Sequence, residues 1–543
     1  MKHLLRVLAV VALFLTGYTA KAQISYGGEP YSFKNTISQA VPTIEIEALD
    51  AEALLAEDAA ITGKNHALRI GVTKDVNYSI ANSGRVDLLP DGGRVWRIAF
   101  HMQDATFTSM NFSTFNIPDG AELYLYTPDR EYVIGKFINK NQMEDGTFYP
   151  QELPGEDIVV EYYEPAGAAF EGELVINQIS QGYYDFFHIK DIEGGLGDAE
   201  GSCHPNAICY DATWHAQIHS VVCYTMTSGG YIYMCSGAMV NNTANDNRKY
   251  LLSANHCYEG GTWKFYFKYQ ATTCSGTNGT TMLTATGYTL RAKDDGDNSS
   301  DFMLVEITGE ISANRDVYLA GWDNGTSVPS NPTQCGAIHH PGGDIKKFSI
   351  PQNINNGAMY GYGKFWLTNW ATSTGATEQG SSGSPLFNKE KLIVGQLYAG
   401  SSSCSNPTGW DLYGKLSNSW TNNNNSNNAK KLKPWLDPNN TGAITLQGRW
   451  MPGAPSNISS STGAANLNIH PNPTTGMVTI SGSFNTGDGV CNIYNMMGVL
   501  VYSKNINLNE ETTLNLSSLP QGAYMVEVAD NSNVYRSKII ISK

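Results

Sequence analysis

Three short strings of the sequence contain the side-chain types that a hydrolase with a serine nucleophile needs. His256 stands in LLSANHC, Asp301 in SDFMLVEI, and Ser382 in EQGSSGSPLF. Such an enzyme uses an imidazole to accept the hydroxyl proton and a carboxylate to orient that imidazole. We therefore predict that His256, Asp301 and Ser382 form a catalytic triad.

The glycines around Ser382 favour a tight turn that presents its hydroxyl. Gly380 and Gly383 allow backbone angles that other residues resist. The N–H groups of Gly380 and Ser382 are the predicted oxyanion hole, the donors that stabilise the negative oxygen of the transition state. Ser381 and Ser384 are the alternative nucleophiles, and a flexible Gly/Ser loop is the alternative interpretation of the string.

The elements that must position these residues are predicted to be β-strands. Only 16% of the residues are charged, and Gly, Asn, Ser, Thr and Tyr are abundant, which is typical of β-structure with many turns. A chain of 543 residues also exceeds one ordinary core. Alternating runs such as RVWRIAFHM and YIYMCSGAMV predict strands, and NAKKLKPWLD is the only convincing short helix between about residues 191 and 449. Around the triad, the spacing of the strands predicts a barrel or a sandwich.

Charge and cysteine content limit the class of protein. The net charge of −15 argues against a nucleic-acid partner, which requires a basic surface. The first residues, MKHLLRVLAVVALFLTGYTAKAQ, predict a secretory signal peptide cut after Ala22, with an anchor helix as the alternative. Eight of the nine cysteines lie between Cys203 and Cys404, which predicts disulfides in an exported domain. CxxC pairs are absent, so zinc is not expected, and we predict neither a metal nor another cofactor.

The three strings resemble the catalytic boxes TAAHC, DIALL and GDSGGP of trypsin-like serine proteases, and their order is that of chymotrypsin. The nearer resemblance is to the bacterial lysyl endopeptidases, because GSSGSP and the string VNNTAND at 240–246 match that family. The resemblance runs from about Cys203 to PWLDPNNTGA. It implies a chymotrypsin-like double β-barrel that cleaves proteins or peptides containing Lys or Arg.

The resemblance also implies a role for Asp411 in TGWDLYGK, which matches the family's carboxylate at the base of the specificity pocket. A buried carboxylate there is satisfied by a cationic substrate side chain, which predicts cleavage after Lys, with Arg left open. A surface Asp in a turn is the alternative. Two positions depart from the expected patterns. Ser381 replaces the Asp of animal trypsins that pairs with the new amino terminus, and Tyr398 replaces a histidine near the base, which puts the rate and pH profile in doubt.

Carrying over the family's disulfides gives Cys203–Cys404, Cys209–Cys274 and Cys235–Cys257. The last of these would fix the turn that carries His256. Cys223 and Cys335 have no counterpart in the family pattern and are predicted to form a fourth bridge. Cys491 is most simply a buried small residue.

The remaining titratable groups are assigned structural roles. His215 and His219 have a spacing that suits a metal, but HAQIH lacks the glutamate of a metalloprotease motif and its surroundings look β-rich. His339 and His340 are predicted to be structural. The string KDDGD is predicted to be a solvated turn, with calcium binding as an open alternative.

The C-terminal strings HPNPTTG, IYNMMGVLVY, LSSLPQGAYMVEV and KIIISK resemble the type IX secretion sorting domain of Bacteroidetes. The resemblance implies export across the outer membrane by that machinery, and a secreted or cell-surface protein. An accessory carbohydrate-binding β-domain is the alternative.

We predict an all-β chain that comprises a signal peptide (1–22), a β-rich propeptide (23–190), the protease domain (191–449), a linker (450–466) and a β-sandwich sorting domain (467–543). Lys190 is an isolated lysine in a Gly-rich stretch and is the predicted site of self-maturation. The predicted function is a secreted, monomeric serine endopeptidase. The alternative is a catalytically weak homologue that binds proteins at the cell surface through residues 24–190.

Overall fold

The computed structural model of the chain describes residues 29–37, 40–61, 64–185, 203–276, 284–294, 296, 299–311, 316–360, 363–370, 374–406, 408–422, 424–451, 467–482, 488–495, 500–529 and 534–542. The predicted processing residues Ala22 and Lys190 lie outside these ranges, as does most of the predicted linker. Within the described residues, no helix is both long and apolar enough to cross a membrane.

The N-terminal unit is built from two β-sheets that enclose a core. Its helices are α1 (Tyr31–Lys34) and α2 (Ala51–Ala60), and Asn139–Asn141 forms a 3-10 turn. Its strands are β1 (Thr43–Ile46), β2 (Leu68–Ser79), β3 (Arg85–Leu88), β4 (Arg94–Met102), β5 (Phe107–Asn116), β6 (Glu122–Tyr126), β7 (Val133–Phe137), β8 (Leu153–Pro154), β9 (Asp157–Glu164) and β10 (Glu173–Gly182). One sheet has the order β1-β4-β9-β6-β7, with β3 beside β4, and the other contains β2-β10-β5-β8. Alternating residues of both sheets, among them Phe100 and Phe112, share one buried cluster.

The central unit begins with 3-10 turn Ala207–Tyr210 and helix α3 (Asp211–Ile218). Its first set of strands is β11 (Val221–Ser228), β12 (Tyr231–Val240), β13 (Tyr250–Ala254), β14 (Thr262–Tyr266), β15 (Thr284–Thr286), β16 (Tyr288–Lys293) and β17 (Phe302–Ile307), with the 3-10 turn Asn255–Cys257 after β13. These strands pair in the order β15-β14-β11-β12-β13-β17-β16.

A second antiparallel sheet completes the central unit. Strands β18 (Tyr318–Leu319) and β28 (Arg449–Trp450) pair with each other as a separate two-stranded sheet. The strands of the larger sheet are β19 (Trp322–Asp323), β20 (Gly336–His339), β21 (Lys347–Ser349), β22 (Pro351–Asn356), β23 (Phe365–Trp370), β24 (Pro385–Phe387), β25 (Ile393–Gly400), β26 (Trp410–Lys415) and β27 (Thr445–Leu446). Helices α4 (Leu416–Thr421) and α5 (Lys433–Leu436) follow β26, and the 3-10 turns are Pro332–Gln334, Pro341–Gly343, Gly357–Tyr360 and Asn428–Lys430. The main order is β21-β20-β24-β25-β26-β23-β22.

Buried side chains join the two sheets of the central unit. Each sheet has its own apolar cluster, and a third cluster combines residues of both, such as Val240 and Phe302 with Ile338 and Phe387. The prediction of an all-β protein with a two-part protease unit is confirmed, with 46% of the described residues in strands.

The N-terminal unit extends the first sheet of the central unit. Strand β2 pairs antiparallel with β12, with Leu68 opposite Met234 and Arg69 opposite Tyr233. A buried ion pair adds to this junction: Lys264 Nζ lies 2.9 Å from Glu152 Oε1, and both side chains are almost fully enclosed. The strand pairing places the start of β2 next to β12, the strand that contains Cys235.

The C-terminal unit is a two-sheet sandwich, as predicted. Its strands are β29 (Asn468–His470), β30 (Met477–Ser481), β31 (Asp488–Asn495), β32 (Leu500–Asn507), β33 (Thr512–Asn515), β34 (Gly522–Ala529) and β35 (Val534–Ile541). The sheets β29-β30-β33 and β32-β31-β34-β35 share one apolar cluster, which includes Cys491 with no exposed surface. Burial raises the pKa of the Cys491 thiol to about 12, consistent with an inert core residue.

The disulfides differ from the prediction in one pair. The structure joins Cys203 to Cys404, Cys209 to Cys274 and Cys235 to Cys257, the pairings that the family pattern implies. The predicted fourth bridge is wrong, because Cys223 and Cys335 are both free thiols. Cys223 is packed with Leu68 and other residues where β2 joins the first sheet, whereas Cys335 lies in the core of the second sheet with residues such as Trp366.

Candidate active site

Strand pairing brings His256 and Asp301 together. His256 follows β13 and Asp301 precedes β17, and Ala254 at the end of β13 pairs with Phe302 at the start of β17. The Nδ1 atom of His256 lies 2.6 Å from Asp301 Oδ2, and the backbone N–H of His256 donates to Asp301 Oδ1 at 2.9 Å. A carboxylate at this distance holds the proton on Nδ1 and leaves Nε2 as a proton acceptor.

Ser382 lies in a turn that requires glycine on both sides. Gly380 has φ +85° and Gly383 has φ +79°, which disfavour any residue with a Cβ. A Cβ on Gly383 would also lie 2.0 Å from Ser253 Oγ. The turn is packed directly against the strand β13 that leads to His256.

A hydrogen bond and a disulfide together connect the Ser382 turn to the His256 turn. The carbonyl of Ser382 accepts a hydrogen bond from the N–H of Ser236 at 2.9 Å. Ser236 is the neighbour of Cys235, whose bridge to Cys257 fixes the residue that follows His256. Both candidate catalytic residues are therefore attached to the same short framework.

The predicted oxyanion donors are available. Among the described residues, the backbone N–H groups of Gly380 and Ser382 have no hydrogen-bond acceptor, whereas the neighbouring N–H groups of Ser381 and Gly383 bond to Glu378 and Leu397. The carbonyl of Gly380 accepts from Ser236 Oγ at 2.8 Å, which fixes the turn in this orientation.

The Ser382 hydroxyl contacts the N-terminal unit. Its Oγ donates to the backbone carbonyl of Lys64 at 2.8 Å. His256 Nε2 is buried and has no hydrogen-bond partner in the described part of the chain. The Ser382 hydroxyl thus faces a peptide carbonyl, while His256 Nε2, the atom that would accept its proton, has no hydrogen-bond donor among the described residues.

Asp411 is fully buried on β26 and, with Trp370, Thr377 and Ser402, forms a buried polar site that we call the Asp411 pocket. Its Oδ2 accepts hydrogen bonds from Trp370 Nε1 at 2.5 Å, Thr377 Oγ1 at 2.8 Å and Ser402 Oγ at 2.6 Å. Three neutral donors stabilise the carboxylate but leave its charge uncompensated, so Oδ1 remains available for a cation.

Lys64 supplies that cation. Its Nζ lies 3.2 Å from Asp411 Oδ1 and donates to Thr377 Oγ1 at 2.8 Å, to Ser402 Oγ at 3.0 Å and to the Thr377 carbonyl. Only 7% of Lys64 is exposed. Burial lowers the pKa of this amine, and the charge of Asp411 opposes the shift.

Sequence analysis missed Lys64, Thr377 and Ser402. Lys64 lies in ITGKNHALRI, where a Gly-Lys-Asn string precedes a strand, and this was the available signal of an exposed turn with a cleavable lysine. Thr377 stands just before the EQGSSGSP string, and Ser402 lies in a serine run that has no motif character.

The alternative nucleophiles have different surroundings from Ser382. Ser381 Oγ is fully buried and bonds to His339 Nδ1 at 2.7 Å, and His339 Nε2 bonds to Ser349 Oγ at 2.8 Å. Burial holds the pKa of His339 well below its usual value, so that this imidazole is neutral. Ser384 is also fully buried. The position that carries Asp in animal trypsins is thus fixed here by a neutral histidine.

Tyr398 lies beside the candidate base. Its ring centroid is 6.1 Å from that of His256 in an edge-on arrangement, and it stacks on Phe365 at 4.9 Å. The aromatic pair shields one side of the imidazole.

His215 and His219 are hydrogen-bonded within the fold. His215 and His219 lie on and just after helix α3, which corrects the β-rich expectation for this string. Asp211 is close to both, but His215 Nδ1 bonds to Asp211 at 2.8 Å and His219 Nδ1 to the Asp316 carbonyl at 2.8 Å. In KDDGD, Asp294 is buried, and the other two aspartates lie outside the described residues.

His340 has a comparable internal position. Its Nδ1 lies 2.9 Å from the Asp344 carbonyl, and its ring stacks on Tyr269. Burial lowers the pKa of His340 to about 3, which keeps it uncharged.

Comparison with known proteins identifies two regions of the chain. Residues 197–414 match the family model for the C-terminal domain of lysyl endopeptidase, and residues 468–542 match the secretion system C-terminal sorting domain. The curated lysyl endopeptidase of Pseudomonas aeruginosa is 28% identical over 318 residues, which cover 54% of this chain and 65% of that protein. The chain thus spans just under two thirds of that relative.

Solved structures of serine proteases are also similar. A serine endoprotease from Yersinia pestis has a TM-score of 0.28 at 15% identity, covering 61% of this chain and 96% of its own. Neuropsin, a serine protease expressed in the limbic system of mouse brain, has a TM-score of 0.28 at 17% identity, covering 38% and 94%. The family-model matches and the curated relative confirm the lysyl endopeptidase resemblance and the sorting domain. The sorting domain indicates export to the cell surface or beyond it.

Proposed function

We propose that this chain is a secreted serine endopeptidase that cleaves peptide bonds after lysine through an acyl-enzyme. The single observation that carries the proposal is the position of Lys64. Its ammonium group pairs with Asp411 while its carbonyl accepts the hydroxyl proton of Ser382. A lysine that satisfies both sites at once supports a substrate site of matching dimensions.

The catalytic roles follow from the contacts of the three residues. Ser382 is the nucleophile, and His256 Nε2 accepts its proton and later gives it to the leaving amine. Asp301 orients His256 by one hydrogen bond to the imidazole Nδ1 and one from the backbone N–H. The N–H groups of Gly380 and Ser382 stabilise the oxyanion, and one such donor contributes about 3–4 kcal/mol.

Selectivity for lysine resides in the Asp411 pocket. The carboxylate, Thr377 and Ser402 together offer acceptors to a single ammonium group. A guanidinium is wider and planar and presents its donors as a fork, so this compact set of acceptors favours Lys over Arg.

Processing and export complete the proposal. The signal peptide ends at Ala22, residues 23–190 act as a propeptide, and Lys190 is a site of self-maturation. The C-terminal domain is the ligand of the type IX secretion machinery. The mature enzyme acts as a monomer on exported or extracellular proteins.

One observation favours the alternative function, a catalytically weak homologue that binds proteins at the cell surface. The hydroxyl of Ser382 donates to Lys64 rather than to His256. A homologue of this kind retains the fold and does not turn over substrate.

Digestion of a denatured bacterial proteome separates the two functions. We expect the residue before each cut to be lysine in most peptides, and the Ser382→Ala variant to produce none of these cuts. Cuts scattered without regard to lysine contradict the role of Asp411, and an absence of Ser382-dependent cuts supports the binding protein.

A further inference from the structure

We propose that the Lys64–Asn65 peptide bond of the chain itself is a cleavage site of this enzyme. Residues 64–69, the tethered segment, lie in the active site as a substrate that belongs to the same polypeptide. This inference rests on the proposed function and adds a processing site inside the predicted propeptide, distinct from Lys190.

The side chain of Lys64 enters the pocket in the manner expected of a substrate. Its ammonium reaches the fully buried Asp411 and two further side-chain oxygens, those of Thr377 and Ser402. Burying a charged amine is costly unless a buried partner of opposite sign is present. The pocket therefore has a specific preference for this residue, 347 positions away from Asp411 in the chain.

The main chain of Lys64 makes a second, independent contact. Its carbonyl oxygen lies 2.8 Å from Ser382 Oγ. Binding of the ammonium group alone does not require the Lys64 carbonyl to contact the Ser382 hydroxyl. Because both ends of the residue fit, the bond that follows Lys64 is the one presented for attack.

The chain beyond Lys64 contacts the turn that carries Ser382 and then joins a strand of the central unit. His66 Nε2 lies 3.2 Å from Gln379 Nε2, next to the oxyanion turn. Arg69 and Leu68 then pair with Tyr233 and Met234 of β12. This strand addition uses main-chain hydrogen bonds and fixes the register of the segment.

The reaction needs two rearrangements and one water. The Lys64 carbonyl oxygen moves from the Ser382 hydroxyl to the N–H groups of Gly380 and Ser382, which have no acceptor among the described residues. The Ser382 hydroxyl turns its proton to His256 Nε2, and Oγ forms a bond to the Lys64 carbonyl carbon. The bond between that carbon and the Asn65 nitrogen breaks, and the nitrogen takes the proton from His256. Water then hydrolyses the ester, restores the Ser382 hydroxyl and leaves Lys64 with a free carboxylate.

The same contacts delay the release of product. After cleavage, Asn65 remains joined to β2, which is hydrogen-bonded to β12, and the Lys264–Glu152 ion pair holds the N-terminal unit in place. The new amine therefore stays near the acyl group and re-forms the peptide bond in competition with water. We expect slow cleavage and a nicked chain whose parts remain associated.

The test uses the full chain purified as the wild type and as Ser382→Ala, Lys64→Gln, Lys64→Arg and Lys74→Gln variants. Lys74 is the matched control, because it lies on the same strand β2 but is 47% exposed and pairs with Glu47 at the surface. Intact mass and N-terminal sequencing follow the appearance of a chain that begins at Asn65.

We expect this terminus in the wild type and in Lys74→Gln at rates within about twofold, and none in Ser382→Ala. Lys64→Gln should slow its appearance by at least about 100-fold, because a neutral amide loses the buried ion pair. Lys64→Arg keeps the charge and should be cut faster than Lys64→Gln, which guards against a folding defect of the neutral variant. The rate should not depend on protein concentration.

Activity on an added lysine peptide separates the two proposals. Wild-type protein that cleaves the peptide but never shows an Asn65 terminus overturns the self-cleavage and leaves the enzyme function intact. Protein that cleaves neither overturns the proposed function and the inference with it. An Asn65 terminus whose rate rises with protein concentration contradicts the tethered geometry.

Discussion

Replacing Asp411 by asparagine changes the charged carboxylate of the Asp411 pocket into a neutral amide. Oδ2 of the carboxylate already accepts from Trp370, Thr377 and Ser402, while Oδ1 faces the lysine ammonium. An amide has a single acceptor oxygen, and the three donors will keep it. The amide N–H groups then point at the substrate ammonium, and no hydrogen bond forms between them because both groups are donors.

The magnitude follows from this loss of pairing. Breaking a buried ion pair by removing one partner costs about 3–5 kcal/mol. Since about 1.4 kcal/mol corresponds to a factor of ten, kcat/KM for a lysine peptide should fall by about 100- to 4,000-fold. A matched peptide with norleucine in place of lysine carries no charge and should be cleaved no more slowly by Asp411→Asn than by the wild type.

The assay compares both enzymes on both peptides. Active sites are counted with a serine-directed reagent, so that residual occupancy of the pocket by Lys64 does not enter the rates. A loss below tenfold on the lysine peptide, or an equal loss on the norleucine peptide, would refute the role assigned to Asp411. Because Asp411→Asn also removes the partner of the buried Lys64, the unfolding midpoint of the full chain should fall, and an unchanged far-ultraviolet circular dichroism spectrum excludes a general folding defect.

Three further predictions concern the framework. Asp301→Asn should lower kcat by about 10⁴-fold without changing the unfolding midpoint, because an amide favours the wrong imidazole tautomer; a loss below tenfold contradicts the triad. Replacing Cys235 and Cys257 together by alanine should lower the free energy of unfolding by about 3 kcal/mol in denaturant titration, and an unchanged midpoint contradicts this. Burial lowers the pKa of Lys346 to about 7, so the unfolded chain binds one more proton between about pH 7 and 10. The free energy of unfolding should therefore increase with rising pH in this window, and the increase should be smaller in Lys346→Met. Equal slopes of unfolding free energy against pH in the two proteins would contradict this prediction.

The catalytic strings could be identified from the sequence because the chemistry demands particular residue types in local contexts. His256 and Asp301 each stand at the end of an apolar run, and the pairing of those two runs as β13 and β17 brings them to 2.6 Å. The Ser382 turn could be predicted because it contains two glycines, Gly380 and Gly383, whose φ angles are positive in the structure. Strand alternation was equally informative for the all-β architecture.

Contacts between segments that are distant in the sequence could not be predicted from local sequence patterns. Lys64 and Asp411 meet across 347 positions, and no local pattern links a lysine in a turn to a pocket in another unit. The pairing of Cys223 with Cys335 was wrong for a related reason, because elimination by number ignores that the two residues lie in separate cores.

Helices were underestimated from the sequence. NAKKLKPWLD does contain α5, but it is not the only helix of the central unit, since α3 and α4 are also present. Helix α3 is short and lies among β-strands, so that its apolar positions gave no clear helical period. Its histidines looked like strand residues for that reason.

The most direct test of the account is the site of covalent attachment of a lysine-like phosphonate, an inhibitor that reacts with an activated serine. Peptide mapping should locate the adduct on Ser382 in the wild type, with modification abolished in His256→Ala and blocked by excess lysine peptide. An adduct on Ser381 or Ser384, or labelling that is indifferent to the loss of His256, would contradict the account.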